Sequence, residues 1–207
     1  MGRPRTYDDD LRRRLLLRAG QIVSEGGTSA LSLRGLADDE GTSTSAVYTL
    51  FGGKDELWGA LYEEAFTRFG ESQKAVPASD DAVSDILALT LSYRDWALDN
   101  PHLYDIMFGG SLASFVPTEE QGELAISTKR PLREMVKKAV KAGQLHGDVR
   151  LITHALWATL HGVTSLAINM GPRYRGLEYH EAAMHAVLDG FKKPALAKAT
   201  PKANRSR

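Results

Sequence analysis

The chain has 207 residues, 43% of them hydrophobic, and its 26 basic side chains balance 26 acidic ones. That length supports one sizeable core, while the zero net charge supplies no global field for a polyanion, so any attraction to nucleic acid has to come from local clusters. The absence of cysteine excludes a disulfide framework and a thiolate metal site, and the N-terminus lacks an apolar leader, so a soluble, cytoplasmic protein is expected.

Apolar residues recur at helical spacing along nearly the whole chain, without strand-like alternation, which predicts an all-α fold. Thr6 is placed to cap a first helix that carries Leu11, Leu15, Ala19 and Ile22 on one stripe before Gly26 and Gly27 stop it. Ser32 opens a short helix through Glu40, ended by Gly41. Ser43 opens another to about Phe51, ended by Gly52 and Gly53. Lys54 begins a longer helix with Asp55 and Glu56 in its first turn, where carboxylates face the positive end of the helix dipole. The stretch from Val76 to Ser79 breaks the periodicity and marks a junction. Beyond it Ser79 starts a helix to about Leu98, and Pro101 starts a short one to about Gly109. Thr118 with Gln121 forms a capping box for a single helix reaching Gly143. Asp148 opens a long apolar helix to Gly171; its His154, His161, Asn169 and hydroxyl side chains fit burial against protein better than a membrane span. Leu177 to Lys193 is the last helix. The tail from Pro194 is basic and has the composition of a chain that does not fold.

Three short helices, the second and third joined by a glycine turn, are the arrangement in which one helix crosses the DNA backbone and the next enters the major groove. The reading helix would be Thr44 to Leu50, after Ser43, with Thr44, Ser45, Tyr48 and Thr49 outward. Hydroxyls of these residues can bond base edges or phosphates, and the methyls of Thr44, Thr49 or Ala46 can pack on thymine. Because the reader carries no Lys or Arg, charge is expected around it. Lys54 at a helix N-terminus makes an anion site with the free backbone amides, Arg34 lies on the helix that crosses the backbone, and Arg3 and Arg5 form a basic arm suited to the minor groove. A merely solubilising terminus is the alternative for that arm, and solvation is the simpler reading of the tail.

Leu36-Ala37, Gly41, Ser43, Ala46, Tyr48, Phe51 and Lys54-Asp55-Glu56-Leu57 stand in the register of the DNA-binding domain of TetR-family transcriptional regulators, which the stretch from Thr6 to Leu61 resembles. The resemblance implies phosphate contacts for Tyr48 and Lys54. Glu40, Thr42 and Leu50 depart from the family pattern: Leu50 removes a polar backbone contact, and Glu40 stands where a small alanine is usual and is expected to crowd the helix packing. In the second half, Trp157, His161 and Gly162, with the segment YRDWALDNPHLYDIMFG, resemble a class of C-terminal regulatory domain named for a Trp-His-Gly signature. This implies nine helices in all, the last two from each subunit forming a four-helix dimer interface and the middle ones enclosing an effector cavity. The implied organisation is an arm and helix-turn-helix at 1–53, a connecting helix at 54–76, an effector-binding and dimerisation domain at 77–193, and the tail at 194–207. Expected partners are double-stranded palindromic operator DNA, a small, largely apolar effector and a second copy of the chain, with no membrane.

Ala155, Ala158 and Gly162 on one helix and Ala183, Val187 and Gly190 on the other make small-residue rows that let dimer helices approach closely. Trp96, Tyr104, Met107, Phe108 and Trp157 are the expected apolar walls of the ligand site, with Tyr93 and His161 as polar handles. For His161 the competing reading is a core histidine bonded to a backbone carbonyl. No zinc-clamping arrangement is read, so neither a metal nor a cofactor is expected. Two rival functions are a ligand-independent DNA-binding dimer and an all-α small-molecule-binding protein or enzyme. No nucleophile elbow, phosphate loop or cysteine nucleophile supports catalysis.

Overall fold

The computed structural model describes residues 5–112 and 115–192, and among these it shows ten α-helices and no strand. Helix α1 (Arg5–Gly26) is followed by α2 (Leu33–Asp39), α3 (Thr44–Phe51) and α4 (Lys54–Lys74). The remainder comprises α5 (Ala82–Asp99), α6 (Pro101–Tyr104), which runs on as a π-turn over Asp105–Gly109, α7 (Glu119–Ser127), α8 (Arg130–Lys141), α9 (Val149–Asn169) and α10 (Leu177–Lys192). Arg3, the basic tail and the side chain of Arg5 lie outside the described residues.

Local chemistry sets most of the boundaries. Ser32 Oγ accepts from Gly35 N–H at 3.0 Å and Ser43 Oγ accepts from Ala46 N–H at 3.1 Å, each satisfying an orphan donor of the helix it opens. Between them, Gly41 takes φ +63°, a left-handed conformation that costs glycine nothing. Its N–H bonds the Asp38 carbonyl while Thr42 N–H bonds that of Ala37, the paired closure that stops a helix abruptly. Thr118 and Gln121 form the reciprocal capping box of α7, and Asp148 caps α9.

Three boundaries differ from the sequence reading. Thr6 lies inside α1, which already includes Arg5. Helix α5 starts at Ala82 with Asp81 as its cap, because Ser79 is held elsewhere: its N–H and hydroxyl both donate to the Asp85 carboxylate, at 2.9 and 2.6 Å. The helix expected from Thr118 to Gly143 is two helices. Pro131 has no N–H for the Ser127 carbonyl and its ring crowds that position, so α7 closes with the tighter bonds Thr128 N–H to Ala125 and Lys129 N–H to Ile126, and α8 restarts with proline in its first turn.

One hydrophobic cluster runs from Leu15, Leu36 and Val47 in the first three helices through Leu57, Leu61 and Phe66 of α4 to Tyr93, Leu103 and Leu160, so the head and the body share a core. A second joins α5, α8, α9 and α10 through Ile86, Val136, Leu156 and Leu188.

Candidate DNA-reading head and aromatic chamber

Helix α3 buries Val47 and Phe51 and turns Ser45, Tyr48 and Thr49 outward; Tyr48 is 53% exposed although aromatic. Thr44 is half-buried. The hydroxyls are not equally free. Thr49 Oγ1 donates to the Ser45 carbonyl at 2.9 Å and Ser43 Oγ is engaged as the cap, so each offers a ligand its remaining hydrogen-bonding capacity only.

Charge surrounds this row. Arg34 is 87% exposed and 4.0 Å from Asp38, one turn on. Lys54 is half-buried: its ammonium donates to the Leu31 carbonyl at 2.9 Å and stands 5.5 Å from the centre of the Trp58 ring. The lysine therefore braces the loop before α2 and keeps two further N–H donors for an anion. The first amides of α4 are uncapped by any side chain, Gly53 being the cap residue. Glu40, expected to crowd the packing, instead accepts from Arg14 at 3.1 Å, and Arg18 bonds Asp39 at 2.7 Å. Both pairs tie the end of α2 to α1, a role invisible in the sequence because the partners are 26 and 21 residues apart.

In the body, a cavity of about 260 Å³ lies between α4, α5, the π-turn, α7 and α9. Tyr93, Met107, Phe108 and Trp157 line it together with Tyr62, Phe66 and Phe69 of α4. Trp96 does not; it packs edge-on against Phe69, ring centres 5.1 Å apart. Tyr104 and His161 stand behind the lining. The Tyr104 and Tyr93 hydroxyls meet His161 Nδ1 at 2.8 and 3.2 Å, and the imidazole stacks on Trp157 with ring centres 5.6 Å apart. Burial, then the nearby Lys129 charge, holds the His161 imidazole below its ordinary range, which favours its neutral form. Burial raises both tyrosines, Tyr104 to about 12, so both keep their hydroxyl protons. His161 thus serves as the hub of two tyrosines through Nδ1. Sequence reasoning missed Gln73, a buried amide on the wall, and Lys129, whose ammonium lies 3.6 Å from the Trp157 ring centre. No group of three or more candidate metal ligands occurs among the described residues.

Helix α9 is long and apolar enough to cross a membrane, but only 28% of its apolar window is buried within the chain. Ala158 and Gly162 are exposed, beside Leu151 at 64% and Leu166 at 47% exposure. Ala155 is half-buried. On α10 Gly190 is exposed, whereas Ala183 and Val187 are half-buried against the chain's own clusters.

Residues 86–191 match the family described as tetracycline repressor-like, C-terminal domain, a match that does not single out the Trp-His-Gly class. The chain is 25% identical over 157 residues to the HTH-type transcriptional regulator Rv1816 of Mycobacterium tuberculosis, the match covering 73% of this chain and 64% of that protein's length. Among solved structures it is similar to a protein of unknown function from Rhodococcus sp. RHA1, at 28% identity and TM-score 0.73, covering 88% of this chain and 96% of that one. The fold also matches that of the TetR family transcriptional regulator PfmR from Thermus thermophilus, at 21% identity and TM-score 0.70, covering 87% and 100% of the two chains. With a capped three-helix head, an all-α body and a family match over half of its length, the chain belongs to the TetR family of regulators.

Proposed function

We propose that the chain is a cytoplasmic, dimeric transcriptional repressor that leaves a palindromic operator when a small, largely apolar effector fills the chamber. One observation carries this reading: α4 begins beside the exposed row of α3 and continues without interruption into the chamber wall at Tyr62, Phe66 and Phe69. In this scheme residues 1–53 read DNA, 54–76 connect, 77–193 bind effector and partner, and the tail 194–207 follows. Ser45, Tyr48 and Thr49 face the DNA, with Thr44 and Ser43 at the foot of the reader, Lys54 and Arg34 supplying phosphate contacts and the arm of Arg3 and Arg5 reaching the minor groove. Two copies would bring their α9 and α10 faces together through Ala158, Gly162 and Gly190, burying the apolar surface that one chain leaves open; this accounts for α9 without a membrane. The chamber favours a ligand-responsive regulator over a ligand-independent one. Selection of bound sequences from random duplex DNA tests the reading. Enrichment of an inverted repeat is expected, and recovery of sequences indistinguishable from the starting pool would refute it.

A further inference from the structure

Outside the chamber, α7, α8 and α9 enclose a second, open groove of about 670 Å³. The two spaces share Ile126, Lys129 and Trp157, so these side chains are the partition between an aromatic interior and the outer groove. The groove differs in character. Lys129, Arg130, Arg133 and Arg150 line it against a single carboxylate, Glu123. None of the three arginines is ion-paired to an acidic residue among the described residues.

The position of these cations is electrostatically unfavourable for the free chain. Arg130 and Arg133 lie in the first turn of α8 and Arg150 in that of α9, at the positive ends of both helix dipoles, and neither first turn holds an acidic residue. Asp148 partly offsets this at α9 as the cap, but Lys129, the cap residue of α8, is itself a cation and caps nothing with its side chain. Like charges gathered at helix N-termini are relieved by an anion placed among them. Lys129 rests on the Trp157 face, where it lies between the groove and the chamber. On α9 the groove residues Arg150, Thr153, His154 and Trp157 recur at spacings of three and four, and Arg150 and His154 continue the four-residue row of Ala158 and Gly162, so the groove borders the face through which two copies would pair.

We propose that the effector is an anionic amphiphile: its apolar tail occupies the aromatic chamber, and a carboxylate or phosphate head lies in the groove among Lys129, Arg133 and Arg150. The proposal rests on the effector reading of the chamber and adds the chemistry of the head. Calorimetric titration of the full chain with decanoate, decyl phosphate and decanol, each below its micelle concentration, separates the two. At low salt the better anion should bind about tenfold more tightly than decanol, the sum of two or three exposed ion pairs, and added KCl should shrink that advantage. The better of the two anions identifies the head. Arg133→Ala with Arg150→Ala should remove most of the advantage, leaving the part owed to Lys129, with decanol binding unchanged, while the corresponding pair of lysine substitutions should retain most of it. Equal affinity for all three probes, or an advantage undiminished in the double alanine variant, would overturn the anionic head while leaving the chamber intact. Failure of all three to bind would instead overturn the chamber reading, and this proposal with it.

Discussion

Replacing Lys54 with methionine tests where the charge for DNA binding resides. The ammonium is already bonded to the Leu31 carbonyl and lies beside Trp58, so it reaches a phosphate only through its two remaining donors. A dimer carries two such lysines. Each phosphate neutralised contributes about 0.9 to the slope of log affinity against log salt, so the two substitutions should flatten that slope by about 1.8. Raising salt from about 50 to 200 mM should then weaken the variant about twelvefold less than the parent. Methionine preserves the apolar stem against Trp58, but loss of the bond to Leu31 should destabilise the head by about 1.5–3 kcal/mol, the usual worth of a hydrogen bond involving a charged group. Fluorescence anisotropy with the selected duplex, run well below the melting midpoint of each protein, separates the two effects. An unchanged salt slope with unchanged affinity would show that Lys54 only braces the loop before α2.

Other perturbations probe the rest of the molecule. Double-mutant cycles on Arg14→Ala and Glu40→Ala should give a coupling of about 0.5–1 kcal/mol in urea unfolding, since the pair is only partly screened from solvent; additive effects would contradict the observed bond. Burial, before any neighbouring charge, depresses the imidazoles of His102, His161 and His180 below their ordinary 6.5. Below that value the unfolded chain binds more protons than the folded one, so stability should be flat above about pH 7 and fall as the pH drops through 6.5 toward the lower folded values. Equal urea midpoints at about pH 7 and 5 would refute this. Gly162→Glu should yield a folded monomer in sedimentation, because a Cβ there meets nothing of its own chain within 4 Å; a persistent dimer would place the interface elsewhere.

What the sequence discloses divides along a physical line. Ser32, Ser43, Thr118 with Gln121, and Asp148 act within three residues of themselves, so their capping is readable from order alone. The break at Thr128–Lys129 is not, because the apolar phase continues across it and a proline fits either an interrupted helix or the first turn of a new one. A single uninterrupted helix hides Lys129, which only the new helix start places over Trp157, 28 positions further along. Tyr93 and Tyr104 stand out in the sequence as hydroxyl-bearing rings in an aromatic set. Their convergence on one nitrogen of His161 spans 68 and 57 residues and depends on how α5, α6 and α9 dock.

The same docking limits how the proposed switch can work. Helix α4 has 21 residues, about 30 Å of rise, and is buried at Leu57, Trp58 and Leu61 as well as at Phe66 and Phe69. So continuous a helix transmits displacement as a tilted rod rather than by bending. A tilt that opens the chamber at Phe66 must be absorbed where the rod meets the head, at Trp58 and the Lys54 bond to Leu31. A second route crosses from α6 to α1, where His102 stands so close to Gly20 that a Cβ there would lie 3.3 Å from its ring. Both routes reach the foot of the head and neither touches Tyr48. An effector acting through them would therefore shift the proposed reading helix as a unit, changing the spacing of two heads in a dimer while leaving its exposed hydroxyls in their own geometry.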